Sequence, residues 1–386
     1  MNEAVGAALQ AGDIMRRAEA LVPMLRERSV EIDEARALPA DVVDALRDSG
    51  AFRMLMPRAW GGPEMTPMAI NDVLEVLASG NASAAWCAMI QMDGGLYSGM
   101  LDAQVRRELF PSLDLATSNV LRISGYAQVV EGGFIVDGRW AYASGCGHSD
   151  WFAGGVMLHE GDRDKPLLDA QGRPRHCMLL MAPRSLNRLD TWQTLGLRGT
   201  GSHDLEAVQL FVPEAHAFSL DAPGHEGAIY RWPAVLCGKM PGVPLGIARA
   251  ALQEARAMMS QRQDLPPIWA LALAEAHTAY HGARAHVRQS LQAIWDRLQA
   301  GETPSTEERV DVFLARSEAF HRARHAVEVL FDALGGGAIY CERSSLERHL
   351  RDLNTACQHI MAQRQGQLPA AQLLLGREDA AQFAFL

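Results

Sequence analysis

The sequence predicts a mostly helical α+β protein in three parts: an N-terminal helical domain over residues 1–110, a central β domain over 111–225 and a C-terminal four-helix bundle over 226–386. Two observations carry this reading. Apolar residues recur at helical spacing in both outer parts, and between them the period drops to two and turn residues cluster. A third fits: 386 residues, 48% of them hydrophobic, are enough for a large core in several layers.

In the N-terminal part, Ile14, Ala18, Leu21, Val22 and Leu25 form a helical stripe. Pro39 suits a helix start and Gly50 the position just past its end, with Val42, Val43, Ala45 and Leu46 between them. Asn81 to Met100, rich in Ala, Met and Trp, reads as a buried helix. The character changes near Pro111. Tyr126–Val130, Glu131-Gly132-Gly133 and Phe134–Asp137 read as a hairpin. Trp151–Leu158, Cys177–Met181 and Leu205–Val212 have strand length, and Pro213 ends the last. Four helices follow: Leu245–Arg262, Pro267–Ala300, Ser305–Leu334 opened by a Ser305/Glu308 capping box, and one from near Ser344 after the break at Gly335-Gly336-Gly337. A β domain between helical domains leaves a crevice where ligand sites tend to form.

Composition narrows the function. With 36 basic against 46 acidic residues the net charge is −10, which argues against nucleic-acid binding. Six scattered cysteines with no CxxC pair suggest reduced thiols and no zinc ribbon. Residues 1–16 lack the apolar core of a signal peptide, and no run of about 20 apolar residues suits a membrane span. A cytoplasmic protein is expected.

No GxGxxG, P-loop or GxSxG pattern is present. His321 and His325 share a helical face, but no third ligand is evident and no metal is expected. Three segments remain. Gly138 to Gly145 carries Trp140 and Tyr142 beside Ser144, which suits either a planar ring ligand or a packed β core with a Ser-Gly turn. Gly196 to Ser202 offers glycines with Thr200 and Ser202, either as backbone that a ligand approaches or as a tight turn. Arg351 to His359 repeats polar groups at helical spacing, facing either solvent or an internal site where His359 acts as a proton donor.

Taken in order, these segments resemble the acyl-CoA dehydrogenase superfamily, from about residue 15 to 375. The specific pieces are Gly138 to Gly145, the Gly196–Ser202 turn followed by Phe211-Val-Pro-Glu214, and Phe331 to Gly337 through Arg351-Asp352. The resemblance implies that Tyr142 stacks on a flavin, that Ser144 bonds it, and that Gly335, Gly336 and Arg351 help hold it, partly across a subunit interface.

The departures matter. Family dehydrogenases need a carboxylate base. Neither usual position keeps one: Thr355 to Met361 contains no carboxylate, and the other position falls on Leu236. The acyl-CoA loop reads Thr117-Ser118-Asn119. The chain is similar instead to the two-component flavin-dependent monooxygenases of this scaffold, on Trp140, Ala143-Ser144-Gly145, Asp150-Trp151, Asp190-Thr-Trp192 and Gln358-His359-Ile-Met361. That branch implies reduced flavin (FMN or FAD) from a separate flavin reductase, O2, a C4a-hydroperoxyflavin, and hydroxylation of a small aromatic or heteroaromatic substrate. His359 and Ser144 would be the catalytic pair. Trp140, Tyr142, Gly145, Arg198, Thr200, Ser202 and Arg262 join the cofactor set, and Trp86, Met89, Met92 and Tyr97 the substrate wall. Arg262 is followed by Gln263-Asp264 where tight FAD binders keep an aromatic-Gly, which suits a flavin that comes and goes. A homotetramer is implied; an atypical FAD-dependent acyl-CoA dehydrogenase or desaturase is the alternative.

Overall fold

Local chemistry sets the helix ends. The structure, a computed structural model, describes residues 9–220 and 227–377; the first eight residues of the leader reading, five of the β domain and the last nine of the bundle domain lie outside it. In the N-terminal part, α1 (Ala11–Glu27), α2 (Ser29–Ala35) and α3 (Ala40–Ser49) are followed by α4 (Pro67–Gly80), α5 (Ala82–Gln91), α6 (Gly94–Ser98) and α7 (Ala103–Leu109). Pro39 precedes α3 and Gly50 closes it at φ 85°, a left-handed value that glycine adopts freely. Thr66 and Asn81 cap α4 and α5 with their side chains.

The stretch expected as one helix from Asn81 to Met100 is two. It breaks at Met92-Asp93, where the Asp93 side chain meets the buried ammonium of Lys239. After the break the backbone presses close: a Cβ on Gly95 would sit 2.5 Å from the carbonyl carbon of Leu55.

Seven strands form one sheet: β1 (Thr117–Val130), β2 (Gly133–Trp140), β3 (Trp151–His159), β4 (His176–Met181), β5 (Asn187–Leu189), β6 (Asp204–Pro213) and β7 (Ala217–Phe218), in the order β5-β6-β2-β1-β3-β4-β7. The β1–β2 hairpin pairs Val130 with Gly133 as its turn chemistry predicts. Thr117-Ser118-Asn119, expected as a loop, instead opens β1 and pairs in parallel with Trp151–Ala153. The sheet has its own core around Trp140, Phe152, Val136 and Leu179.

The bundle comprises α8 (Val235–Gly238), α9 (Gly242–Ser260), α10 (Pro267–Gln299), α11 (Thr306–Leu334), α12 (Leu346–Ala356) and α13 (Gln367–Leu374). The Ser305/Glu308 capping box closes reciprocally at 3.1 and 2.8 Å. N-terminal helices and bundle share one apolar core, with α4 lying along α9. Among the described residues, no helix is long and apolar enough to cross a membrane.

His148, His349 and His359 are all held below the ordinary imidazole range of 6.5, at about 4, about 3 and about 4, because burial disfavours the charged ring. Each is therefore neutral when folded and protonates first in the unfolded chain. Their contribution is complete above pH 6.5 and is lost as pH falls toward 4. At pH 5 each accounts for up to about 2 kcal/mol of lost stability, which is 1.5 pH units at 1.36 kcal/mol per unit. Thermal melts from pH 7.5 to 4.5 should therefore show a falling Tm, with a shallower slope in His349→Gln.

Candidate active site at the junction of the sheet and the bundle

The Gly196–Ser202 turn is fixed by α12. Asp352 accepts from the N–H of Leu197 at 2.6 Å, Thr355 Oγ1 from the N–H of Gly196 at 2.9 Å, and Arg351 donates to Leu195 O at 2.9 Å. Burial pushes the Asp352 carboxyl up to about 7, and the Leu197 N–H pulls it back down. Arg351 also pairs with Glu347 at 2.7 Å and Asp33 at 3.3 Å, while Arg198 donates to Asp33 O and Thr194 O. Within this chain the guanidinium groups of Arg198 and Arg351, both expected in the cofactor set, fasten α2, the turn and α12. The glycines serve the same end. A Cβ on Gly196 would lie 2.3 Å from the Arg351 backbone, and one on Gly199 would lie 2.1 Å from Ile32. They admit neighbouring elements of the protein, in keeping with the tight-turn alternative.

The turn delivers two hydroxyls to a third. Thr200 Oγ1 donates to Leu197 O at 2.8 Å and lies 2.6 Å from Ser202 Oγ, which lies 2.7 Å from Ser144 Oγ. Trp86, whose indole nitrogen can only donate, gives its proton to Ser144 Oγ at 3.2 Å. One hydrogen per hydroxyl then fixes the direction of the whole row: Trp86 to Ser144, Ser144 to Ser202, Ser202 to Thr200, Thr200 to Leu197 O. Ser144 has its proton committed and keeps a lone pair to offer.

On its other side, Trp86 meets the His359 ring edge-on, with centroids 5.7 Å apart. His359 Nδ1 accepts from the Met361 N–H at 3.2 Å, so the neutral ring carries its proton on Nε2. Burial, then the charge of Arg316, keeps it neutral. The predicted pair Ser144 and His359 is thus gathered on one tryptophan.

Beside Ser144, Tyr142 stands 73% exposed at φ 68°. Trp192 stands nearly perpendicular to it, ring centroids 6.3 Å apart. Gly145, at φ 73°, lies in the left-handed region that favours glycine, and a Cβ there would displace the Gln91 side chain, whose Nε2 would lie 2.4 Å away. Gln91 donates to Gly145 O and bonds His148 at 3.0 Å.

Other expected residues sit elsewhere. Trp140 has no exposed surface; it fills the sheet core, donating to Gly155 O at 3.0 Å and meeting Phe152 edge-on, so the expected flavin contact is corrected to a packing role. Arg262 lies just beyond α9, its guanidinium 4.8 Å over the Trp269 ring. Gly335 and Gly336 are exposed, with no atom within 4 Å of where a Cβ would be. Neither Arg262 nor the glycines join the Ser144 cluster within one chain. Met89 and Met92 are fully buried core. Tyr97 is fully buried against Phe218, its hydroxyl without a partner. His321 bonds Ala362 O and His325 bonds Glu275. Two surface clefts, one around Asp72 and Arg284 and one around Trp60 and Arg106, hold none of the expected site residues.

Sequence reasoning passed over Asp93–Lys239 and Arg316. Lys239 is fully buried on Asp93, which Asn119 also bonds at 3.0 Å. Burial pushes Asp93 up to about 6 against the pull of Lys239. The signal for Arg316 was available: it shares the helical face of Val312, Ala319 and Phe320. Every buried carboxylate among the described residues is engaged: Glu75 by Tyr280 and Arg284, Asp93 by Lys239, Asp204 by Arg139 and Asp352 by Leu197. None is free to take a proton from an acyl chain.

Residues 240–364 match the family model described as acyl-CoA dehydrogenase, C-terminal domain. The chain is 33% identical over 359 residues to an indole-3-acetate monooxygenase of Pseudomonas putida, covering 88% of each chain. It is 28% identical to the flavin-dependent monooxygenase oxygenase subunit HsaA of Rhodococcus jostii, over 89% of this chain and 93% of that one. Among solved structures, 3-HSA hydroxylase from Rhodococcus sp. RHA1 superposes with a TM-score of 0.87 at 25% identity, over 95% of this chain and 98% of that one. A hydroxyl row and a neutral histidine on one tryptophan, no free buried carboxylate, and likeness along nearly its full length agree: the chain belongs to the flavin-dependent monooxygenases built on the acyl-CoA dehydrogenase fold.

Proposed function

We propose that this chain is the oxygenase component of a two-component system. It takes reduced flavin from a separate reductase and hydroxylates a small aromatic or heteroaromatic ring. The observation that carries the reading is the meeting of Ser144 and His359 on opposite sides of Trp86. Relatives named as oxygenase subunits or components support the separate reductase. Indole-3-acetate, in the name of the Pseudomonas putida relative, and resorcinol, in that of a resorcinol hydroxylase oxygenase component from Rhizobium sp. (26% identical), support an electron-rich ring.

The residues fit a reduced flavin. Tyr142 and Trp192 form an exposed aromatic corner for a ring system. Reduced flavin carries a hydrogen on N5, whereas oxidised flavin has a bare lone pair there. Ser144, its own proton directed to Ser202, offers an acceptor and so favours the reduced form. Once bound, reduced flavin and O2 supply the oxygen atom that is transferred. His359 directs its Nε2–H as a hydrogen-bond donor and stays neutral at working pH. Trp86, Met89 and Met92 keep water from the pocket. Homotetramer formation is part of the proposal: exposed Ile268, Leu271, Ile339 and Tyr340 leave apolar surface on the bundle, and Arg262 and the Gly335 turn would serve a neighbouring subunit's flavin.

Two experiments test this. His359→Ala should lower hydroxylation about 100-fold while hydrogen peroxide release rises and reduced-flavin affinity stays within about twofold; product formation still coupled to flavin oxidation would sink the role. Ser202→Ala frees the Ser144 proton to donate. Anaerobic titrations should then show the preference for reduced over oxidised flavin falling by about tenfold, the worth of one hydrogen bond.

A further inference from the structure

One cation on the buried face of α11 lacks a counter-ion. Arg316 is 1% exposed, lying among Val312, Ala315, Ala319 and Phe320. Its Nε donates to Met361 O at 3.1 Å, and Nη2 lies 4.0 Å from Met361 Sδ, a weak acceptor. The Phe313 ring lies 4.6 Å from the guanidinium carbon. Nη1 bonds no described residue, and no described carboxylate pairs with the group. Lys239, the other fully buried cation, has Asp93. A buried guanidinium stays charged, and leaving it unpaired is unfavourable in a way that packing does not offset.

Its position ties it to the site. Met361 is gripped at both ends: its N–H by His359 Nδ1 at 3.2 Å and its carbonyl by Arg316 Nε at 3.1 Å. The positive charge therefore sits one residue's span from the histidine that meets Trp86. We infer that Arg316 anchors a monoanionic carboxylate borne by the aromatic substrate, so that the ring lies toward His359 and Trp86. This rests on the hydroxylase reading of the same site. The charge count selects the anion. His359 is neutral and Asp93 cancels Lys239, which leaves the charge of Arg316 without a counter-charge among the described residues. A carboxylate balances it; a phosphate dianion would leave a surplus negative charge in an apolar interior. With Nε and Nη2 turned to Met361, one guanidinium edge remains, enough for a carboxylate oxygen.

The test is equilibrium binding of phenylacetate, benzoate and indole-3-acetate, each against its neutral amide, to wild type, Arg316→Met and Arg316→Gln. At least one acid should bind wild type about tenfold tighter than its amide, and the preference should shrink below about threefold in both variants. Without ligand, both variants should melt at or above the wild-type temperature and keep reduced-flavin affinity, since a lone buried charge has gone. The inference is overturned if no acid outbinds its amide, if the preference survives in both variants, or if both variants melt lower and lose flavin, as a purely structural arginine requires. An acid that binds through Arg316 but yields no hydroxylated product supports the carboxylate site and sinks only the hydroxylase reading.

Discussion

Three hydrogen bonds hold the sheet's turn to the bundle: Asp352 to the N–H of Leu197, Thr355 to the N–H of Gly196, and Arg351 to Leu195 O. One face of the sheet, through Ala153, Met178, Leu180 and Phe218, joins the helical core while the other keeps its own, and this clasp fixes the turn against the bundle. Thr200 and Ser202 reach Ser144 only because the turn is pinned at its start, and His359 leaves α12 three residues after its last helical residue. Both halves of the site are thus placed by one junction. The energetic demand is large. Asp352 is buried without a full counter-ion, and Gly196 must accept a backbone at a separation no side chain allows.

A neutral imidazole and a buried guanidinium without a counter-ion stand on either side of Met361. Removing water strengthens what each polar group does to its neighbours. The Arg316 charge helps hold His359 neutral, and the histidine in turn presents a donor without adding a second charge. Asp93 and Lys239 neutralise one another across the break between α5 and α6, with Asn119 of β1 as the third member. A pair so deeply buried is tolerable only complete.

Much of this was legible in the sequence. Capping residues, glycine stops and alternating strands located most elements to within a few residues, because those signals are local: Ser305 and Glu308 satisfy orphan N–H groups whatever lies beyond α11. Ser144 and His359 were named from their motifs. What failed was long-range. Nothing local says that the Asp93 side chain pairs with a lysine 146 residues away. Nothing local says that the glycines of the turn make room for α12 and α2, or that Trp140 points into the sheet core while Tyr142, two residues on, points out. Arg316 was missed for a different reason: a charged residue in a helical stripe reads as an interruption, and the lack of a counter-ion shows only in the folded chain.

Tyr142 bears on how such an enzyme lives between turnovers. A tyrosine in the left-handed region is strained by about 1–2 kcal/mol, and here the ring it carries is mostly in solvent, so contacts within the chain return little. The backbone around it does the holding: Ala143 N–H to His203 O, and Gly145 N–H to Thr200 O. A protein with a resident cofactor can let that cofactor help shape the platform it rests on. On the proposed function the flavin arrives from outside, and a platform at Tyr142 would then have to stay set while empty, as a dock is kept at depth between ships.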